Sequence, residues 1–222
     1  MPPLVLIHGF ASDVATDWPA SRWGREAVAV SLPGHRGGPP VTDTMTTSRL
    51  VAWLAASIGS GPFDVIGYSL GARLAWDLAA VAPVRRLVLG GLSATEPFGG
   101  VDLDAVRSAI RGGPPPADPM SAVVAAMIAG QDAESLLHVV EGLAREPFDP
   151  SARAPGVPTL FVAGQDDPMA YGIEDVVARV PGARLVRVPG DHAGALASDE
   201  FRTAALDFLQ KRRTRELKIR RR

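Results

Sequence analysis

The 222-residue chain contains no cysteine. That excludes disulfides, thiolate metal sites and a cysteine nucleophile, and it leaves the redox compartment open. No run approaches the roughly 18 apolar residues of a membrane span. Histidine is scarce, with four in the chain, so any chemistry needing an imidazole base must choose among His8, His35, His138 and His192. A large excess of one charge is missing too, since the formal net charge is −1. The balance is uneven, however: residues 211–222 hold eight Lys/Arg against the single acid Glu216. A basic run at a chain end reads as a solvated tail on the last helix, and nucleic-acid binding is not expected from it.

What is present is ordinary for a globular enzyme: 46% hydrophobic and 21% charged residues, enough chain for one core. Met1-Pro2-Pro3 leads into Leu4-Val5-Leu6-Ile7 without a basic leader, which reads as a first strand instead of a signal peptide, and a cytoplasmic location is expected. Short Val/Leu/Ile runs at 4–7, 27–32, 63–66, 86–89, 159–163 and 184–188 are bounded by Gly or Pro, as strands covered on both faces should be. Helical patterns at 47–58, 70–81, 173–180 and 195–209 alternate with them. The expected fold is therefore α/β, a mostly parallel sheet of about six strands with helices on both faces.

Residues 93–150 break the alternation. Gly112-Gly113-Pro114-Pro115-Pro116 is non-helical, whereas Asp118-Pro119 places an N-cap acid before a first-turn proline. Helices are expected at 120–129 and 134–144, forming a small helical lid insertion. The α/β core would then comprise 1–92 and 151–210, followed by the basic tail at 211–222. Val123, Val124, Met127, Ile128, Leu136, Leu137 and Val140 in that insertion suit either an apolar substrate or packing against the sheet.

Gly67-Tyr68-Ser69-Leu70-Gly71 lies between a strand pattern and a helix pattern. A serine on a tight strand-to-helix turn has its hydroxyl held away from the sheet, and flanking side chains larger than glycine would meet backbone. The following helix aims its free N–H groups and positive dipole end at the same point. His192, after the last strand in Gly190-Asp191-His192, is the best placed of the four histidines to take the serine proton, because strand C-terminal ends share one side of a parallel sheet. Asp166 and Asp167 follow the preceding strand in Gly164-Gln165-Asp166-Asp167-Pro168, and either could orient that imidazole. Gly9-Phe10 after the first strand and the N–H of Leu70 could together bind an oxyanion.

These segments, with Leu32-Pro33-Gly34-His35, resemble the α/β-hydrolase superfamily over nearly the whole chain. The resemblance implies Ser69, Asp167 and His192 as catalytic triad, Phe10 and Leu70 as oxyanion hole, a structural His35, and no cofactor or metal. It implies a serine hydrolase cleaving a carboxylic ester or thioester of small-molecule size. Two departures stand out: the strands that usually precede His8-Gly9 are absent, and Ala72 stands where glycine is frequent. The elbow extended to Ala72-Arg73 also looks like that of menaquinone-pathway synthases, which use the triad for elimination. That makes Arg73 a candidate substrate-binding residue and gives an alternative, a lyase or carbon–carbon hydrolase. A non-catalytic binding protein on the same fold would be expected to lose a triad member.

Overall fold

The computed structural model describes residues 2–23 and 27–210, so the basic tail at 211–222 lies outside the described residues. Six strands form one sheet in the order β2-β1-β3-β4-β5-β6. They are β1 (Leu4–Ile7), β2 (Ala27–Val30), β3 (Phe63–Tyr68), β4 (Val84–Gly90), β5 (Thr159–Gly164) and β6 (Arg184–Val188), and every ladder is parallel. β1, β3 and β5 are buried along their whole length, while the edge strands β2 and β6 are partly exposed.

Strand alternation divides the core in two. Val5, Ile7, Val65, Leu87 and Phe161 belong to one apolar cluster, and Leu4, Leu6, Ile66, Val88 and Leu160 belong to the other. A sheet with period-two side chains and no polar face must be covered on both sides. The first cluster is completed by α2 (Thr47–Ser57), α3 (Leu70–Leu78), α4 (Leu103–Ile110), α5 (Pro119–Ile128), α6 (Ala133–Arg145) and α7 (Ile173–Ala178). The second is completed by α8 (His192–Ala197), α9 (Asp199–Gln210) and the indole pair Trp18 and Trp23, which flank a short turn after α1 (Val14–Asp17).

The expected elements differ from the observed ones in three informative places. The pattern at 195–209 is two helices, because Ser198 takes an extended conformation and its hydroxyl accepts from Phe201 N at 3.0 Å, starting α9 afresh. His192 stands at the first position of α8 instead of in a loop, capped by Asp191, whose side chain accepts from Gly194 N. The 93–150 segment holds three helices, not two. α4 escapes notice in sequence because it is short and buries only Val106, yet Asp102 caps it through two backbone N–H groups. Asp118 and Pro119 start α5 as their chemistry requires.

Chain order reverses between β1 and β3: β2 lies to one side of β1, and the chain then crosses back to place β3 on the other. Ligands of open parallel sheets bind outside the strand C-termini at such a switch point. The register pairs Ile7 with Gly67, so the segment after β1 and the turn after β3 end side by side.

Candidate active site

Ser69 sits on that turn at φ 54° and ψ −117°, one of two described non-glycine residues at positive φ. A backbone held there costs on the order of 1–3 kcal/mol and persists only when neighbours enforce it. The enforcement is visible. Ser69 N donates to Gly90 O at 2.8 Å, and its carbonyl accepts from Ala72 N and Arg73 N in the first turn of α3. A Cβ at Gly67 would overlap the Gly71 carbonyl, and one at Gly71 would overlap the carbonyl of Ile7 in β1. The two glycines let strand, turn and helix pack against β1 without separation.

Asp167 follows β5. Its side chain is wholly buried, Oδ2 lies 2.8 Å from His192 Nδ1, and Oδ1 accepts from Met169 N at 2.9 Å. A carboxylate at Nδ1 makes that nitrogen the donor and leaves Nε2 as the proton acceptor. Asp166 points elsewhere and is exposed; only its backbone N–H is engaged, with Gly190 O. The structure thus brings Asp167, and not its neighbour, to His192. Ser69, His192, Phe10 and Leu70 border one cavity of about 220 Å³. Met120, Val123, Val124 and Met127 of α5, with Phe98 and Phe148, make much of its wall apolar. Ile128, Leu136, Leu137 and Val140 are fully buried in the core, so the apolar residues of the insertion divide between cavity and packing.

Three residues that pattern reading passed over shape this site. The Tyr68 hydroxyl donates to His192 O at 2.5 Å, and its ring centroid lies 5.3 Å from the imidazole. Burial, with nearby Asp167 and Asp17, raises the Tyr68 phenol well above its ordinary value, so it stays a donor. Asp17 accepts from Gly9 N at 2.8 Å and from the Ser12 hydroxyl at 2.5 Å, fixing the loop that carries Phe10. Gln131, just after α5, donates to Ala11 O at 3.0 Å and ties the helical insertion to the same loop. A tyrosine inside the elbow was the one available sequence signal; Gln131 lies 120 residues from Ala11, and Asp17, though only five and eight residues from Ser12 and Gly9, closes an irregular loop that leaves no periodic pattern.

None of the other histidines lines the cavity that Ser69 and His192 border. His8 is fully buried; Leu32 N donates to its Nε2 at 3.0 Å, which makes Nδ1 the donor to Gly9 O at 2.8 Å. Burial lowers the pKa of His8, and it lowers that of His35 to about 4, with the neighbouring His8 as second cause. His138 lies on α6, beside Glu141.

Arg73 is neither solvated nor free. It is 5% exposed, its Nη1 pairs with Glu96, and its Nη2 donates to Thr47 Oγ1 at 2.7 Å, to Leu143 O at 3.1 Å and to Glu146 O. Burial lowers its pKa, opposed first by Glu96. It borders the cavity as half of a neutral pair.

A serine on a strained turn at the switch point of a parallel sheet, bordering the same cavity as a carboxylate-held histidine, defines a class of fold and site. A profile of the Alpha/beta hydrolase family matches residues 4–205, and the chain belongs to that family, as the reading of it as an α/β-hydrolase enzyme requires. Solved structures agree on the fold. The enol-lactonase from Burkholderia xenovorans LB400 is 22% identical, with 95% of this chain and 92% of that one covered and a TM-score of 0.71. MenH from S. aureus is 21% identical over 94% and 93%, with a TM-score of 0.74. A thermophilic esterase from Thermogutta terrifontis is 20% identical over 94% and 89%, with a TM-score of 0.73. No helix among the described residues is long and apolar enough to cross a membrane.

Proposed function

We propose that the chain hydrolyses a small-molecule carboxylic ester or thioester through an acyl-enzyme on Ser69. The observation that carries this is the 2.8 Å contact between His192 Nδ1 and a fully buried Asp167, with His192 and Ser69 on one cavity wall. The Ser69 Oγ attacks the carbonyl carbon while its proton passes to His192 Nε2. The carbonyl oxygen becomes an oxyanion held by the amides of Phe10 and Leu70, each such donor lowering the barrier by about 3 kcal/mol. The bond from carbon to the leaving oxygen or sulfur breaks, and the leaving group takes the proton from His192. Water then gives a proton to the same nitrogen and attacks the acyl-serine, releasing the acid and restoring Ser69. Asp167 holds the imidazole tautomer and offsets its transient charge.

The helical insertion at 93–150 acts as the lid of this site. The paired state of Arg73 speaks against the elimination reading, which calls for a cation available to a carboxylate. Three proteins similar in fold are by name an enol-lactonase, an esterase and a thioesterase domain from the curacin biosynthetic pathway. A fluorophosphonate probe should label the native protein and not Ser69→Ala; equal labelling of both would remove Ser69 from the mechanism. A native protein that labels at Ser69 but turns over no ester would return the elimination reading to first place.

A further inference from the structure

The turn after β1 carries Phe10, whose amide the acyl-enzyme reading assigns to the oxyanion. It rests directly on the nucleophile: a Cβ at Gly9 would lie 3.4 Å from Ser69 Cβ. That turn, Gly9 to Ser12, is poorly held by its own backbone. Its closing bond from Ser12 N to Gly9 O is long, at 3.4 Å. Ala11, its third residue, sits at φ 52°, where glycine is favoured and a side chain costs stability. Two side chains from outside the turn hold it instead. Asp17 takes the ends, accepting from Gly9 N at 2.8 Å and from the Ser12 hydroxyl at 2.5 Å. Gln131 takes the middle: its Nε2 donates to Ala11 O at 3.0 Å and to Met127 O at 2.9 Å. Both of those partners are carbonyls, so the amide nitrogen and not its oxygen must face them.

We propose that Gln131 is a positioning residue for catalysis: through the Ala11 carbonyl it keeps the turn left-handed and the Phe10 amide on the oxyanion. This rests on the acyl-enzyme reading above, which makes that amide a donor. If Ala11 relaxes to negative φ, the Phe10–Ala11 peptide turns over and the change enters the Phe10 backbone dihedrals. The Phe10 ring does not follow, because it is buried against His35 and Phe98, with centroids 5.8 and 5.0 Å away. The turn then re-forms about a fixed ring, and the amide takes up the difference. A left-handed alanine is disfavoured by about tenfold, which one hydrogen bond is able to offset. The tie to Gln131 therefore decides which form of the turn is populated. Gln131 reaches the turn from the helical insertion, two residues past the Ala129 cap of α5, where Gly130 reverses the chain at φ 75°. Its second bond, to Met127 O, supplies the competing account: a cap on the last carbonyls of α5 that serves stability alone.

The test compares the native protein with Gln131→Met, which keeps the length of the side chain and removes its donor. The probes are p-nitrophenyl butyrate and an aryl trifluoromethyl ketone. Ser69 Oγ adds to the ketone carbon, its proton passes to His192, and the carbonyl oxygen becomes a stable oxyanion in the same place. In Gln131→Met, kcat should fall about tenfold, short of the roughly hundredfold or more that loss of a whole oxyanion donor costs, with KM nearly unchanged. Inhibition by the ketone should weaken by the same factor, since it reports the oxyanion and no later step. Ala11→Gly should rescue Gln131→Met to within about threefold of native, because glycine adopts the left-handed turn without a tie. Native kcat and native ketone affinity in Gln131→Met, whatever its urea midpoint, overturn the proposal and leave Gln131 as a cap of α5. A loss of equal size with Ala11 intact or replaced overturns the route through the turn. If the native protein labels with fluorophosphonate but turns over no ester, the ketone affinities of the same variants decide by the same criteria. Absence of labelling and of all ester turnover overturns the acyl-enzyme reading and this proposal with it.

Discussion

Replacing Arg73 with methionine would keep most of its packing volume and remove its charge and donors. Glu96 would be left with a side chain 9% exposed and no counter-ion, although Phe98 N at 2.9 Å and Phe148 N at 3.1 Å still donate to it. The Thr47 hydroxyl and the carbonyls of Leu143 and Glu146 would lose a donor as well. Breaking a buried pair by removing one partner costs about 3–5 kcal/mol. That is a large part of the roughly 5–15 kcal/mol that holds a domain folded. With a urea slope of about 3 kcal/mol per molar for a chain of this size, a 4 kcal/mol loss lowers the unfolding midpoint by roughly 1.3 M. The double variant Arg73→Met/Glu96→Leu should recover much of the loss, since an apolar pair needs no counter-charge, leaving a coupling energy of about 2–3 kcal/mol in the cycle. Urea unfolding followed by tryptophan fluorescence on all four proteins reads both quantities. A single-variant loss below about 1 kcal/mol, as for a solvated surface residue, would refute the placement of Arg73 as a buried tie between α2, α3, the Glu96 segment and α6.

Asp167→Asn should leave the unfolding midpoint nearly in place yet lower ester kcat by about four orders of magnitude, because asparagine favours the wrong imidazole tautomer; a drop under tenfold in steady-state rates would count against the triad. Gly71→Ala should destabilise the protein despite the roughly 1 kcal/mol that helix propensity would contribute favourably, since its Cβ must displace the Ile7 carbonyl; a thermal midpoint at or above that of the native protein would contradict the close packing of α3 on β1. Stability should also fall with acid. His35 has a folded pKa of about 4, below its ordinary 6.5, so the unfolded chain takes up that proton first as pH falls. Its contribution is complete above pH 6.5 and is lost progressively toward pH 4, by about 3 kcal/mol. His8 shifts the same way, and its protonation would also cost the Leu32 N–H its acceptor. Urea midpoints from pH 7.5 to 4.5 should decline, less steeply in His35→Gln; a flat native profile would show that these imidazoles are not held neutral by burial.

Much of this protein was legible in local pattern. Six strands, the elbow and the start of α5 each depend on residues within a few positions of one another: alternating Val, Leu and Ile, glycines where a Cβ meets backbone, an acid before a proline. Local sterics and periodicity act through the nearest neighbours, so sequence carries them directly. Sequence also determined that a serine stood between strand and helix, and that two adjacent aspartates and then a histidine followed the last two strands. Local pattern left Asp166 and Asp167 equivalent and the family resemblance pointed to Asp167; the tertiary structure sets Asp167 against His192, because successive residues leaving a strand face opposite ways and the outcome depends on where a helix 25 residues later sets its imidazole. Only the tertiary structure turned Arg73, expected at the substrate, into the partner of Glu96, and joined Tyr68 to His192 across 124 residues. Such choices rest on which distant groups fill the same desolvated space, and that is a property of the folded chain.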